Sequence, residues 1–68
     1  MAILNNLKRY RVWKDLTQSE LSKRLNISIN QLRQIENEHK YPKYQIRSKI
    51  CKFFGVIQDQ MFFVDKEE

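Results

Sequence analysis

The sequence contains very few of the residues that crosslink small proteins. Its 68 residues include one cysteine and one histidine. A single cysteine excludes an intramolecular disulfide, and one cysteine with one histidine is too few for a structural zinc site. Cys51 is therefore expected to fill a small position in the core, and we predict neither a metal nor a cofactor. One apolar core must hold the fold, near the lower size limit at which such a core suffices.

Long apolar runs, low-complexity segments and a signal peptide are also missing from the sequence. We therefore expect one cytoplasmic domain over residues 1–68, without a membrane partner. The acidic residues are scattered, whereas phosphodiester chemistry normally needs clustered carboxylates with a metal. An enzyme is not predicted.

The positive charge is concentrated in one part of the chain. The net charge is +5, but residues 1–52 carry +8 and residues 53–68 carry −3. A basic surface of this kind suits a polyanion, although a membrane surface or simple solubility would use the same charge. Its coincidence with the pattern described next favours nucleic acid.

Residues 17–37 read as two short helices joined by a tight turn. Thr17 is a good N-cap, and Glu20 completes a capping box three residues later. The first helix should end near Asn26, because asparagine accepts a left-handed backbone conformation. Ser28 then caps the second helix. Two capped helices that each need a partner for their apolar face predict a helix-turn-helix.

The second helix of this pair has two different faces. Leu32 and Ile35 form its buried stripe, and the opposite side carries amide and guanidinium groups. Asparagine and glutamine can pair bidentately with adenine, and arginine with guanine. The first-turn amides and Ser28 suit a phosphate oxygen. The alternative is a merely polar, solvated face. The outward residues are Ile29, Asn30, Arg33, Gln34 and Asn37.

From about Asn5 to Phe62 the chain resembles the Cro/C1-type (Xre-family) helix-turn-helix proteins, which are compact phage-repressor-like DNA-binding domains. The matching segments are L-T-Q-x-x-L (16–21), I-S (27–28), L-x-x-I-E (32–36), Pro42, K-I (49–50) and Phe54 to Val56. The resemblance implies an all-α fold of five helices whose second and third form the DNA-reading pair. It also implies base-reading positions at Ile29, Asn30, Arg33 and Gln34, and a phosphate contact at Gln18.

Two departures from the family pattern affect this expectation. Ser22 stands where the family usually has alanine, so its hydroxyl needs a backbone partner at the helix crossing. Glu38 stands where a glycine commonly follows the recognition helix, and a carboxylate there would face the phosphates.

The first helix is predicted from Ala2 to Lys14, with Ile3 and Leu4 on its core side. Arg11 lies at the border of that side, which is unusual for a charge unless it is paired. Glu36 is the expected partner, and an Arg–Glu pair between these helices is a family feature. The pair would fix the angle of the reading helix.

The rest of the chain is predicted to form two more helices. Lys40 and Lys43 are expected to contact phosphates, together with Asn37. Pro42 suits the first turn of a helix that is predicted from Lys43 to about Phe54, and Gly55 is a C-cap signal. The core side of this helix is assigned to Tyr44, Ile46, Ile50, Cys51 and Phe54. A short fifth helix follows at 58–61.

The apolar segment 61–64 is expected to leave some side chains available to a second copy. Phe63 and Val64 could form a short strand across a two-fold axis, and local packing against the fifth helix is the alternative. The predicted dimerisation tail spans about 57–65, with contacts from Ile57, Met61, Phe62, Phe63 and Val64.

One recognition helix reads too few base pairs to select a site in a genome, so two half-sites are expected. The sequence thus predicts a homodimeric repressor on a palindromic operator in double-stranded DNA, without a small-molecule ligand. The setting would be a bacterium, phage or plasmid, with the protein at the nucleoid when bound. The alternative is a protein-interaction module, such as an antitoxin or anti-regulator, for which Trp13 and the apolar tail would speak.

Overall fold

The computed structural model describes residues 3–64 of the chain. Over this range five helices are flanked by a two-stranded antiparallel sheet. The five predicted helices and a strand near the C-terminus are confirmed, although the all-α description omits the second strand. The elements are β1 (Ile3–Asn5), α1 (Leu7–Trp13), α2 (Gln18–Leu25), α3 (Ile29–Glu36), α4 (Tyr44–Phe54), α5 (Gln58–Met61) and β2 (Phe62–Val64).

Helix α2 begins and ends where local chemistry predicts. The Thr17 hydroxyl accepts a hydrogen bond from the Glu20 amide at 3.1 Å, and the Glu20 carboxylate accepts one from the Thr17 amide at 2.8 Å. The hydrogen bond from the Thr17 amide is the main cause that lowers the pKa of the Glu20 carboxyl. Asn26 closes the helix with a left-handed φ of 58°. Ser22 is buried at the helix crossing, and its hydroxyl donates to the Ser19 carbonyl at 2.9 Å.

One apolar core lies between the helices and beneath the sheet. Burial raises the pKa of the Cys51 thiol, as fits a core residue. No buried side-chain polar atom among the described residues lacks a hydrogen-bond partner. The core residues are Leu7, Leu21, Leu25, Leu32, Ile35, Ile50, Cys51, Met61 and Phe62.

The start of the chain corrects the prediction for the first helix. Residues 3–5 form β1, and α1 begins only at Leu7, so the predicted helical placement of Ile3 and Leu4 is wrong. Ala2, the predicted first residue of that helix, lies outside the described residues. Asn5 explains the break: its side-chain carbonyl accepts from the Leu7 amide at 3.0 Å, and its NH2 donates to the Ile35 carbonyl at 2.8 Å. One side chain thus begins α1 and closes α3.

The C-terminal strand pairs with β1 of the same chain. The register places Ile3 opposite Val64, Leu4 opposite Phe63 and Asn5 opposite Phe62.

Two of the predicted dimer contacts are wrong for a simple reason. Met61 is 0% exposed and Phe62 is 7% exposed, so both side chains belong to the core of their own chain. Ile57 and Phe63 stay exposed. The predicted contact of the Val64 side chain lies outside the described residues.

Helix α4 begins one residue later than predicted. Lys43 is the N-cap, so Pro42 precedes the cap instead of occupying the first turn. Tyr44 is 65% exposed and its assignment to the core is wrong, whereas Gly55 does close the helix with φ 70°. Arg47 replaces Tyr44 as the residue that anchors this end: it donates to the Pro42 carbonyl at 2.6 Å, and its guanidinium lies 4.5 Å from the ring of Tyr41.

Candidate nucleic-acid interface

Helix α3 has the two faces that the sequence predicts. Leu32 and Ile35 are 0% and 1% exposed, because this side packs against the core. Asn30, Arg33 and Gln34 are exposed on the other side. An edge of amide and guanidinium groups is therefore exposed to solvent within residues 3–64. Such groups can hydrogen-bond to base edges in a groove wide enough for a helix.

The first turn of α3 is suited to an anion. The Ser28 hydroxyl accepts a hydrogen bond from the Gln31 amide at 3.0 Å, which caps the helix. A hydroxyl that accepts in this way still has its own proton to donate. A phosphate oxygen, which only accepts, could take that proton at the positive end of the helix dipole.

The predicted pairing of Arg11 with Glu36 is confirmed. Arg11 Nε lies 2.6 Å from Glu36 Oε2, and Nη2 lies 3.3 Å from Oε1. The Arg11 and Glu36 side chains are only 12% and 2% exposed, and Arg11 Nη1 also donates to the Leu16 carbonyl at 2.8 Å. Because the fork is bidentate and nearly dry, it fixes α1 against the end of α3. It also neutralises a carboxylate that would otherwise repel DNA from beneath the reading face.

Gln18 lies between this ion pair and the reading face. Its Nε2 donates to Glu36 Oε1 at 3.0 Å, and its Oε1 accepts from Arg33 Nε at 3.3 Å. The side chain is half-buried. The sequence predicts a phosphate contact here, and one N–H of the carboxamide remains for it. The link to Arg33 was not predicted, because residues 18 and 33 lie on different helices.

The predicted phosphate contacts after α3 lie at the surface. Asn37, the C-cap of α3, is exposed together with Lys40 and Lys43. Glu38 has a left-handed φ of 63°, which explains why a glycine suits this position. Its carboxylate accepts from the Asn5 amide at 3.2 Å, so it is tied to β1.

Trp13 and Tyr44 are exposed aromatic residues outside the predicted site. Trp13 is 77% exposed at the end of α1, beside a surface depression of about 320 Å³ that it lines with Asn6, Arg9 and Tyr10. Tyr44 is 65% exposed near Arg47 and Lys43. Only the tertiary structure reveals the exposure of Tyr44, since sequence spacing assigned this residue to the core.

Two other kinds of site find no support in the part of the chain that the structure describes. No group of three or more metal-ligating side chains is close enough to hold an ion within residues 3–64. Over the same range no helix has the length and apolar character needed to cross a membrane.

Comparison with known proteins relates the chain to helix-turn-helix proteins. A family model described as helix-turn-helix matches residues 7–56. A protein of Methanocaldococcus jannaschii, named as an uncharacterized HTH-type transcriptional regulator, is 38% identical over 64 residues, which cover 94% of this chain and 97% of the relative. The first match contains α1 through α4, together with the whole of the outward α3 face.

Proposed function

This chain belongs to the Cro/C1-type helix-turn-helix family of DNA-binding transcriptional regulators, and from that premise we propose that it is a homodimeric repressor of a palindromic operator. The observation that carries the proposal is the exposed amide and guanidinium edge of α3, held by a buried ion pair. The dimer blocks polymerase by occupying its operator in the cytoplasm. A binding protein of this kind needs no cofactor and carries out no reaction.

Base reading is assigned to four residues of α3. Asn30 and Gln34 suit adenine, Arg33 suits guanine, and Ile29 suits the methyl group of thymine. Asn30, Arg33 and Gln34 are exposed on the side opposite Leu32 and Ile35, and Ile29 is half-buried at the border of that side.

Phosphate binding is assigned to residues at the two borders of that face. Gln18 and Ser28 lie at the starts of α2 and α3, where free amides and the helix dipole favour an anion. Asn37, Lys40 and Lys43 lie beyond the end of α3, where they supply affinity that does not depend on sequence.

The two edges of the small sheet are not equivalent, and this favours one mode of dimerisation. On β1 the outward-facing amide of Asn5 is already bound by the Glu38 carboxylate. In an antiparallel pair the residues alternate between facing the partner strand and facing outward. The Asn5 amide faces away from β2, so the backbone N–H and C=O groups of its partner Phe62 face away from β1. Those of Val64, two residues further along β2, do the same. The edge of β2 is therefore the one at which a second copy can add.

Pairing of β2 with its symmetry mate centred on Phe63 fits these groups. The Phe62 amide is used by the Gln58 carbonyl, but the Phe62 carbonyl and the Val64 amide can bond across the axis. Phe63, which is 38% exposed, would then lie against its own copy. Ile57, which is 63% exposed, is the further apolar contact that we assign to this interface.

The first experiment is selection of bound sequences from random duplex DNA. We expect a palindrome whose half-sites lie about 34 Å apart, one turn of the duplex. A single unrepeated site would argue against the dimer. Absence of any enriched sequence would argue against the whole proposal.

The second experiment is the oligomeric state of Val64→Pro, measured by sedimentation. The substitution removes an amide that points away from β1, so the protomer should stay folded while the dimer dissociates. Phe63→Lys should have the same effect. Trp13→Lys is the matched control, because it alters an exposed aromatic residue outside the proposed interface. Dimers that persist in both Val64→Pro and Phe63→Lys would refute this interface.

A protein-interaction module remains the second candidate, and one observation favours it. Trp13 and Val12 are adjacent on α1, and their side chains are 77% and 60% exposed. Neither residue belongs to α3, so this apolar surface is not part of the face assigned to base reading. If this surface binds a partner protein, Trp13→Ser will weaken control in cells while operator affinity of the purified protein stays unchanged. Equal loss of both would assign Trp13 to DNA binding or to stability.

A further inference from the structure

We infer that Gln18 is a positioning residue that sets base specificity, because it orients the Arg33 guanidinium before DNA arrives. The inference rests on the proposed function and adds a residue of α2 to the reading of a base by α3. It differs from the phosphate contact assigned to Gln18, which would carry no sequence information.

The chemistry of the three groups fixes the orientation of the Gln18 carboxamide. The Glu36 carboxylate can only accept hydrogen bonds, and the Arg33 guanidinium can only donate them. Gln18 therefore directs Nε2 to Glu36, at 3.0 Å, and Oε1 to Arg33 Nε, at 3.3 Å. The reversed carboxamide would place oxygen against oxygen and N–H against N–H. One orientation is selected by the hydrogen bonds themselves.

The anchor of this arrangement lies in the core. The Glu36 side chain is 2% exposed, and both of its carboxylate oxygens accept hydrogen bonds from Arg11. An acceptor held in this way has little freedom to move. The hydrogen bonds therefore run without interruption from a rigid, buried ion pair through Gln18 to an exposed side chain of the reading face.

The hydrogen bond from Arg33 Nε to Gln18 determines which nitrogens of the guanidinium can bind a base. The two terminal nitrogens stay free, and their parallel N–H groups match the O6 and N7 acceptors of guanine. An arginine side chain normally loses much rotational freedom when it is fixed on a base. The hydrogen bond to Gln18 already removes part of that freedom in the free protein. The entropy cost of fixing Arg33 on a base is therefore smaller, and more of the favourable contact energy contributes to binding. Guanine preference at the Arg33 position should thus depend on Gln18.

The test replaces Gln18 with methionine, which has a similar length and cannot make these hydrogen bonds. Binding is measured by competition among operators that carry each base at each half-site position. We expect an about three- to tenfold loss of guanine preference at one position per half-site, the scale of one net hydrogen bond. In an Arg33→Ala background the same substitution should change nothing further at that position.

Gln34→Met is the matched control, since it makes the same chemical change on the exposed face of α3. It should relax a different position of the half-site. Equal loss for all sequences in Gln18→Met, or effects that add to those of Arg33→Ala, would overturn the inference, because Gln18 would then act through phosphate or stability alone.

A second readout needs no DNA. The Arg33 Nε–H resonance should shift and exchange faster with water in Gln18→Met, and an unchanged resonance would refute the contact. Failure of the proposed function and failure of the inference about Gln18 give different results. A wild-type protein without any base preference would refute the proposed function, whereas a wild-type preference that Gln18→Met leaves intact would refute only the role of Gln18.

Discussion

Replacing Arg11 with methionine tests whether the buried ion pair supports the fold. Methionine fills a similar space but leaves the Glu36 carboxylate, 2% exposed, without its bidentate partner. The Leu16 carbonyl also loses the donor that lies 2.8 Å away. The hydrogen bond from Gln18 would remain, so Glu36 is not left entirely without partners.

The expected cost is large for a domain of this size. Removing one member of a buried ion pair costs about 3–5 kcal/mol, and the remaining bond from Gln18 favours the lower end. A chain of 68 residues has a total stability of roughly 3–10 kcal/mol. With an unfolding entropy of about 2.1 cal/mol/K per residue, a loss of about 3 kcal/mol lowers Tm by roughly 20 °C.

The measurement is urea and thermal unfolding followed by circular dichroism. Lys14→Met is the matched control, because it removes an exposed cation near the same end of α1 and should change stability by about 0.5 kcal/mol or less. The double variant Arg11→Met with Glu36→Leu should recover most of the loss, since no buried charge remains. A loss below about 1 kcal/mol in Arg11→Met, or a double variant as unstable as the sum of its singles, would refute the reasoning.

Four further predictions concern DNA binding, pH and reactivity. Asn30→Ala and Arg33→Ala should each relax base preference at one operator position by about 1–3 kcal/mol, and a base-substitution scan that shows uniform loss would contradict this. Lys43→Ala should weaken binding to all sequences alike and reduce the salt slope by about one unit in titrations at several salt concentrations. The lowered pKa of Glu20 means that its contribution to stability is present above its ordinary value of 4.5 and is lost as pH falls through the folded pKa. The stability advantage of wild type over Glu20→Gln, measured by unfolding, should therefore shrink in acid. The raised pKa of Cys51 and its burial predict slow alkylation of the native protein, at a rate that rises with urea.

The correct sequence predictions share a physical basis, which is local chemistry. The cap formed by Thr17 and Glu20 acts within four residues, and the left-handed turn at Asn26 depends on one residue. The buried positions of Leu32 and Ile35 follow from helical periodicity. The pairing of Arg11 with Glu36 is the exception: it spans 25 residues and was predicted from a misplaced charge together with a family resemblance.

The incorrect predictions all depend on contacts between residues that are far apart in the chain. Helical spacing at the start of the chain ignored a strand partner some sixty residues away, and no local pattern reports such a partner. Tyr44 satisfied the periodicity of α4, yet its side chain is 65% exposed and lies outside the core. Met61 and Phe62 were assigned to a second copy because the sequence does not show how much of their surface the rest of the same chain buries.

The sequence by itself determined the two capped helices and the polar face of the second, because each follows from the properties of neighbouring residues. Only the tertiary structure decided that β2 pairs with β1, that Asn5 joins α1 to α3, and that Gln18 links the ion pair to Arg33. These contacts join residues far apart in the chain. Their geometry exists only once the core has set the distances between helices.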